Sequence, residues 1–216
     1  MKPDEAWAPN LQITNYELPI FMRLFVALDI DAEIRSRIEQ FMDDVRAFAP
    51  DARWVSAESL HVTLKFIGEW PDALDELKRT LAGVHGEPAE ITISGAGFFP
   101  TPKSARVFWI GIQAGPELAS LAAAVDAGTS TLGIESEKRA FTPHLTLART
   151  GSGRPQRVAS DRSNSSFRRL QEKLAAMSVP SFGTMSPREF FLYESKLSPK
   201  GAQYVKLESY PLRAGI

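Results

Sequence analysis

The sequence predicts an α+β fold, and three observations carry that prediction. Its predicted elements run β-α-β-α-β-β-α-β-α-β-β, an order too irregular for repeating parallel β-α units. Apolar residues switch several times between helical spacing and two-residue alternation. Two pairs of strands follow one another with no helix between them, which calls for largely antiparallel sheet.

The elements follow in order. Arg23 to Leu28 is a short apolar run, taken as a buried strand. Asp31 is placed to cap the helix in which Ile34, Ile38, Phe41, Met42 and Val45 recur at helical spacing. After Pro50 and Asp51, Trp54-Val55 leads through a turn-like Ser56 to Ser59 into Leu60–Ile67, a strictly alternating strand closed by Gly68. Leu74, Leu77 and Leu81 mark a second helix. Ile91 to Ser94 is sheet-like, Gly95 to Pro102 a turn-rich link, and Arg106 to Ile112 a strand. A third helix spans Glu117 to Leu132, with Leu118, Leu121, Ala122 and Val125 on one face and Gly133 as its stop. His144 to Leu147 alternates again. A polar loop, Thr150 to Ser166, precedes a short helix at Phe167 to Met177. Glu189 to Ser195 and Gln203 to Leu207 form a closing hairpin around Ser198 to Gly201. Each half thus offers a strand, a helix and a strand bearing His-x-Thr, which suggests a structural duplication.

Composition narrows the function. The 216 residues are 44% apolar and 24% charged, as in soluble globular proteins. Formal net charge is −1, so any anion site must come from local clustering. The absence of cysteine excludes disulfides, thiolate nucleophiles and thiolate zinc sites. No run of about 18 apolar residues exists, so no membrane-spanning helix is expected. Residues 1–21 hold three prolines and lack the positive start and apolar middle of a signal peptide. They are expected to be a loosely ordered extension ahead of a single domain, residues 22–216, at work in the cytoplasm.

Chemistry concentrates in the histidines. There are three, and two stand in one pattern, His61-Val-Thr63-Leu64 and His144-Leu-Thr146-Leu147. With 11 threonines in 216 residues, chance gives a histidine that neighbour roughly one time in twenty. His85, between Gly83 and Gly86, is taken as structural. On a strand, residues two apart share a face, so His61 and Thr63 oppose Leu60, Val62 and Leu64. The same holds for His144 and Thr146 against Leu145 and Leu147. Two such faces together would line a cleft with two imidazoles and two hydroxyls. One neutral imidazole can take a proton from water while the other, protonated, gives one to a leaving oxygen. The hydroxyls can donate to phosphoryl oxygens. Nothing in this scheme needs a metal. From Arg149 to Lys173 seven basic residues face two acidic ones, an excess able to steer a phosphate-rich substrate. Strict alternation, however, turns Arg149 away from His144.

In this order, Arg23 to Asp29, Trp54-Val55, Leu60 to Gly68, Gly97 to Pro100, Arg106 to Gly111, Phe141 to Arg149 and Leu192 to Ser195 resemble the 2H phosphoesterase superfamily. Within it they resemble the RNA 2′,3′-cyclic phosphodiesterases, first described as 2′-5′ RNA ligases. The resemblance runs from Met22 to about Leu212. It implies a bilobal α+β fold with helices outside two pseudo-symmetric lobes, one motif per lobe, and an active-site groove between them. It implies hydrolysis of a terminal 2′,3′-cyclic phosphate to a 2′-phosphate, with His61 as proton donor and His144 as proton acceptor. Thr63, Thr146 and Arg149 are then substrate contacts, and no metal or cofactor takes part. RNA ends or nucleotides are the implied partners of a monomeric enzyme. Two other readings stand beside it: a 2′-5′ RNA ligase or 2′-5′ oligonucleotide phosphodiesterase, and an RNA-end binding module with little turnover.

Overall fold

Burial follows the helical periodicity closely. In the computed structural model, which describes residues 21–71, 73–150, 162–198 and 201–213, helix α1 (Ala32–Arg46) buries Ile34, Ile38, Phe41, Met42 and Val45. Asp31 occupies its N-cap position but makes no side-chain capping bond, which corrects the expected cap. What it offers is a negative charge at the positive end of the helix. Helix α2 (Asp75–Ala82) buries Leu77 and Leu81, and α3 (Pro116–Ser130) buries Leu118, Leu121, Ala122 and Val125. Gly133, just beyond α3, takes a left-handed φ of 83°, which glycine adopts at little cost. Helix α4 (Arg162–Ala175) begins inside the stretch expected to be loop, where Ser163, Asn164, Ser165 and Ser166 are weak helix signals. No described helix is long and apolar enough to cross a membrane.

Among the described residues nine strands form two antiparallel sheets. The first has the order β3 (Val62–Pro71), β1 (Phe21–Leu28), β8 (Glu189–Ser198) and β9 (Gly201–Pro211). The second has the order β2 (Ala52–Trp54), β6 (His144–Thr150), β5 (Val107–Ala114), β4 (Ile91–Phe99) and β7 (Ser181–Met185). Helices α2 and α3 pack with the first sheet, α1 and α4 with the second. The lobes are therefore not the two halves of the chain. The C-terminal hairpin completes the sheet of the first motif, and β2 crosses over to flank the second.

Two strands were not foreseen, β2 and β7, each too short or too glycine-interrupted to show a period. β4 also runs on to Phe99 through the segment expected to be a link. There Gly95, at φ 72°, absorbs a register shift, and the ladder with β5 resumes at Ala96. Residues 1–20, 199–200 and 151–161 lie outside the described set, so the extension, the hairpin turn and most of the polar loop do too.

A continuous core fills the helix side of both sheets. On the opposite face of the first sheet Phe25, Ala27, Phe191 and Tyr193 form a second, small cluster. That second face carries the first motif.

Candidate active site

The two motif strands share one irregularity. In β3, Ala27 of β1 pairs with Thr63 and Val26 with Lys65, leaving Leu64 as an extra residue. In β6, Trp109 of β5 pairs with Thr146 and Phe108 with Ala148, leaving Leu147 extra. Each bulge falls directly after the motif threonine, so strict alternation ends there in both strands. The shift reverses the expected direction of Arg149. It pairs with Val107, on the side of Trp109 and Thr146, so its guanidinium lies on the His144 face rather than away from it. Arg53 of β2 stands opposite Arg149 in the neighbouring ladder.

The histidines are held alike. His61 Nδ1 lies 2.7 Å from the Ser59 carbonyl and His144 Nδ1 lies 2.8 Å from the Thr142 carbonyl. A carbonyl only accepts, so each Nδ1 carries the hydrogen and each Nε2 is left for other partners. Thr63 and Thr146 are half-buried beside them, and among the described residues neither hydroxyl is hydrogen-bonded.

Their surroundings differ. Phe25 packs 4.7 Å from the His61 ring and Tyr204 lies edge-on at 5.0 Å, with Tyr193 stacked on Phe25. Behind this cage Arg35 of α1 gathers the backbone that precedes His61. Its Nη1 donates to the carbonyls of Ala57 and Leu60, and its Nη2 to Asp29 Oδ1 at 2.5 Å and to the Ile30 carbonyl. Lys206 bonds the other Asp29 oxygen and sits 4.0 Å from the Phe191 ring centre. His144 instead rests edge-on against Phe99 at 4.9 Å, and Phe99 stacks on Trp109. Gly97 makes that stack possible, because a Cβ there would meet the Trp109 ring at 2.2 Å.

Electrostatics tie the two faces together. Burial pushes His61 from its ordinary 6.5 down to about 4, opposed by its bond to Ser59, and the charges of Arg149 and His144 lower it while Asp29 raises it. His144 is lowered too, first by burial and then by Arg149, against its bond to Thr142. One guanidinium thus acts on both imidazoles, and β3 and β6 touch. In the free protein at neutral pH, both rings are neutral.

His61, Thr63, His144, Thr146 and Arg149 are thereby brought to one region. His85 is not: it is exposed beyond α2, lining a separate hollow of about 470 Å³ with Lys78, Arg79 and Arg213. Of the basic residues after Arg149, Arg154, Arg157 and the side chain of Arg162 lie outside the described set. Arg168 pairs with Glu172, and Lys173 lies over the Phe48 ring. The sequence reading missed Phe25, Tyr204, Arg35 and Arg53. Phe25 lies in an unbroken buried run, Leu24 to Leu28, where no alternation marks which side faces the histidine. Arg35 looks like any solvated helix residue.

The sequence profile of the 2′-5′ RNA ligase superfamily matches residues 31–179. An RNA 2′,3′-cyclic phosphodiesterase of Archaeoglobus fulgidus is 35% identical over 190 residues, 88% of this chain and 99% of that protein. A protein of the same name from Methanothermobacter thermautotrophicus is 30% identical over 196 residues, again 88% and 99% of the two chains. The solved structure of E. coli LigT complexed with 3′-AMP aligns with a TM-score of 0.69 at 29% identity, covering 90% of this chain and 100% of that one.

Proposed function

This chain belongs to the 2′-5′ RNA ligase superfamily, and from that premise we infer that it is an RNA 2′,3′-cyclic phosphodiesterase. The reaction opens a terminal 2′,3′-cyclic phosphate with water and leaves a 2′-phosphate and a free 3′-hydroxyl. The observation that carries the reading is the twin histidine geometry. Two imidazoles, each with Nδ1 committed to a carbonyl two residues back, offer two Nε2 atoms for one acid and one base.

In this proposal His144 takes a proton from the attacking water. Phosphorus–oxygen bond formation then proceeds opposite the departing 3′ oxygen, which receives its proton from His61. His61 starts from a pKa of about 4, so its proton has to be held there by the bound substrate. The negative phosphoryl group supplies that charge, raising the imidazole as it docks. Thr63 and Thr146 donate to the non-bridging oxygens, and Arg149 neutralises the charge that grows on them. With a 5′-hydroxyl in place of water the same groups keep their roles and form a 2′-5′ linkage, the reaction in the superfamily's name; in the reverse, where the 3′-hydroxyl attacks and the 5′ oxygen leaves, they exchange them. One chain supplies both histidines, so a monomer suffices, and RNA as substrate supports work in the cytoplasm.

A panel of nucleoside 2′,3′-cyclic phosphates and cyclic-phosphate RNA ends, followed by phosphorus NMR, tests the reading. The expected product is the 2′-phosphate, formed equally well in the presence of a strong chelator. A 3′-phosphate product, or tight binding without product over hours, would overturn it.

A further inference from the structure

Among the described residues Lys65 is the one buried charged side chain, 6% exposed, and the bulge at Leu64 is what buries it. In an unbroken strand Lys65 would share the face of His61 and Thr63, and Phe66 would enter the core. The extra residue exchanges them, so that Lys65 turns inward and Phe66 is left outside, 64% exposed. Both halves of the exchange are unfavourable by themselves, since a ring stays in water and an ammonium leaves it. What offsets them lies behind the sheet. Lys65 Nζ donates to Asp126 Oδ1 of α3 and, at 2.6 Å, to the Glu135 carbonyl. The same Asp126 oxygen accepts the Glu137 amide at 3.1 Å, so one carboxylate ties the bulge to α3 and to the chain that follows it.

The second motif has no such tie. Its residue after the bulge is Ala148, apolar and fully buried, and β6 is held by a neighbour on each side. β3 pairs with β1 alone, while its own alternation favours the unbroken register. We propose that Lys65 is a positioning residue for Thr63: its ion pair with Asp126 holds the bulged register of β3, and with it the aim of the Thr63 hydroxyl at the phosphoryl group. The inference rests on the function proposed above. Lys65 itself, on the far side of the sheet, touches no substrate.

The test removes the pair and keeps the packing. Lys65→Met with Asp126→Asn leaves no unpaired charge and retains an acceptor for the Glu137 amide. With circular dichroism unchanged, kcat/KM for adenosine 2′,3′-cyclic phosphate is expected to fall by about 10-fold. Placed on Thr63→Val, the same two changes should cost less than about twofold, because the hydroxyl they misdirect is already gone; on Thr146→Val they should cost the full amount. Equal losses on all three backgrounds, or none on the native one, overturn the positioning role. Register is read without substrate, from Phe66→Trp fluorescence with native protein subtracted. Removing the ion pair should shift that emission to the blue and weaken its quenching by acrylamide, as the ring enters the core. An unchanged spectrum overturns the proposal. If the native protein does not cleave the cyclic phosphate, the hydrolase reading fails on its own and the spectrum alone judges Lys65. Should the double variant not fold, Asp126→Asn alone is measured in the same way, with a loss of about threefold and the same dependence on Thr63 expected.

Discussion

The two motif strands present the same three features in different settings. Each has an imidazole anchored through Nδ1 to the carbonyl two residues back, a threonine beside it, and a bulge directly after that threonine. Beyond the bulge they part. β6 lies between β2 and β5 and carries Arg149, with Arg53 alongside; β3 is an edge strand and carries Phe66. The carbonyl partner of His61 belongs to a turn clamped by Arg35, whereas Thr142 ahead of His144 is exposed and its Oγ1 bonds back to the Ala140 carbonyl. The lobes agree where in-line phosphoryl transfer is itself two-sided, needing one proton-transfer group at each apical oxygen. They differ beyond the bulge, where one strand carries a cation and the other an exposed ring.

The largest expected effect tests the agreement. His61→Ala and His144→Ala should each lower kcat by about 10²- to 10⁴-fold with unchanged circular dichroism. A loss confined to one of them would mean that the lobes are not catalytic equals. Arg149→Met tests the difference. With a charged hydrogen-bond donor to phosphate gone, kcat/KM should fall by about 10- to 100-fold. Because Arg149 lowers both histidines, the bell-shaped pH profile, expected to peak below 6.5, should also move toward neutrality. A profile that stays in place would remove Arg149 from the neighbourhood of the histidines.

A smaller change sharpens the contrast in anchoring. Arg35→Lys keeps the charge but loses the fork that reaches four acceptors. It should cost about 10-fold in kcat with little change in KM, while Thr142→Ala in the second lobe should cost less than about twofold. Equal losses would erase the distinction. The smallest effect concerns stability. His61 titrates at about 4 when folded and near 6.5 when unfolded, so below pH 6.5 the unfolded chain binds a proton that the native state refuses. Stability from this residue is complete above 6.5 and is lost as pH falls toward 4. His61→Asn should therefore gain about 1 kcal/mol on the native protein between pH 7 and pH 5.5, read from urea midpoints at the two values.

Much of this was legible before any coordinates. The buried stripes of α1 and α3, the closing hairpin and the two His-x-Thr faces all follow from periodicity, because burial and period share one cause. What stayed hidden has a physical reason in each case. A bulge belongs to a pair of strands, so nothing in Leu147 or Leu64 announces it, and with it went the true directions of Arg149 and Phe66. The anchors at Ser59 and Thr142 are backbone carbonyls, which any residue supplies. Arg35 acts from the middle of an amphipathic helix, where an arginine normally means only solvent. β2 and β7 owe their pairing to neighbours rather than to an alternation of their own.

The crossing of β8 and β9 into the first sheet sets the order in which the protein can mature. A ribosome delivers the His61 strand before the strands that close that sheet, and the tyrosines that cage the imidazole are made only after both motif strands. Until the hairpin docks, one flank of β1 has no partner and Phe25 lacks its stacked Tyr193. A nascent chain, or one clipped ahead of residue 189, would possess both histidines and still lack the walls around the first. Competence in this molecule is therefore conferred by the hairpin that follows both motifs.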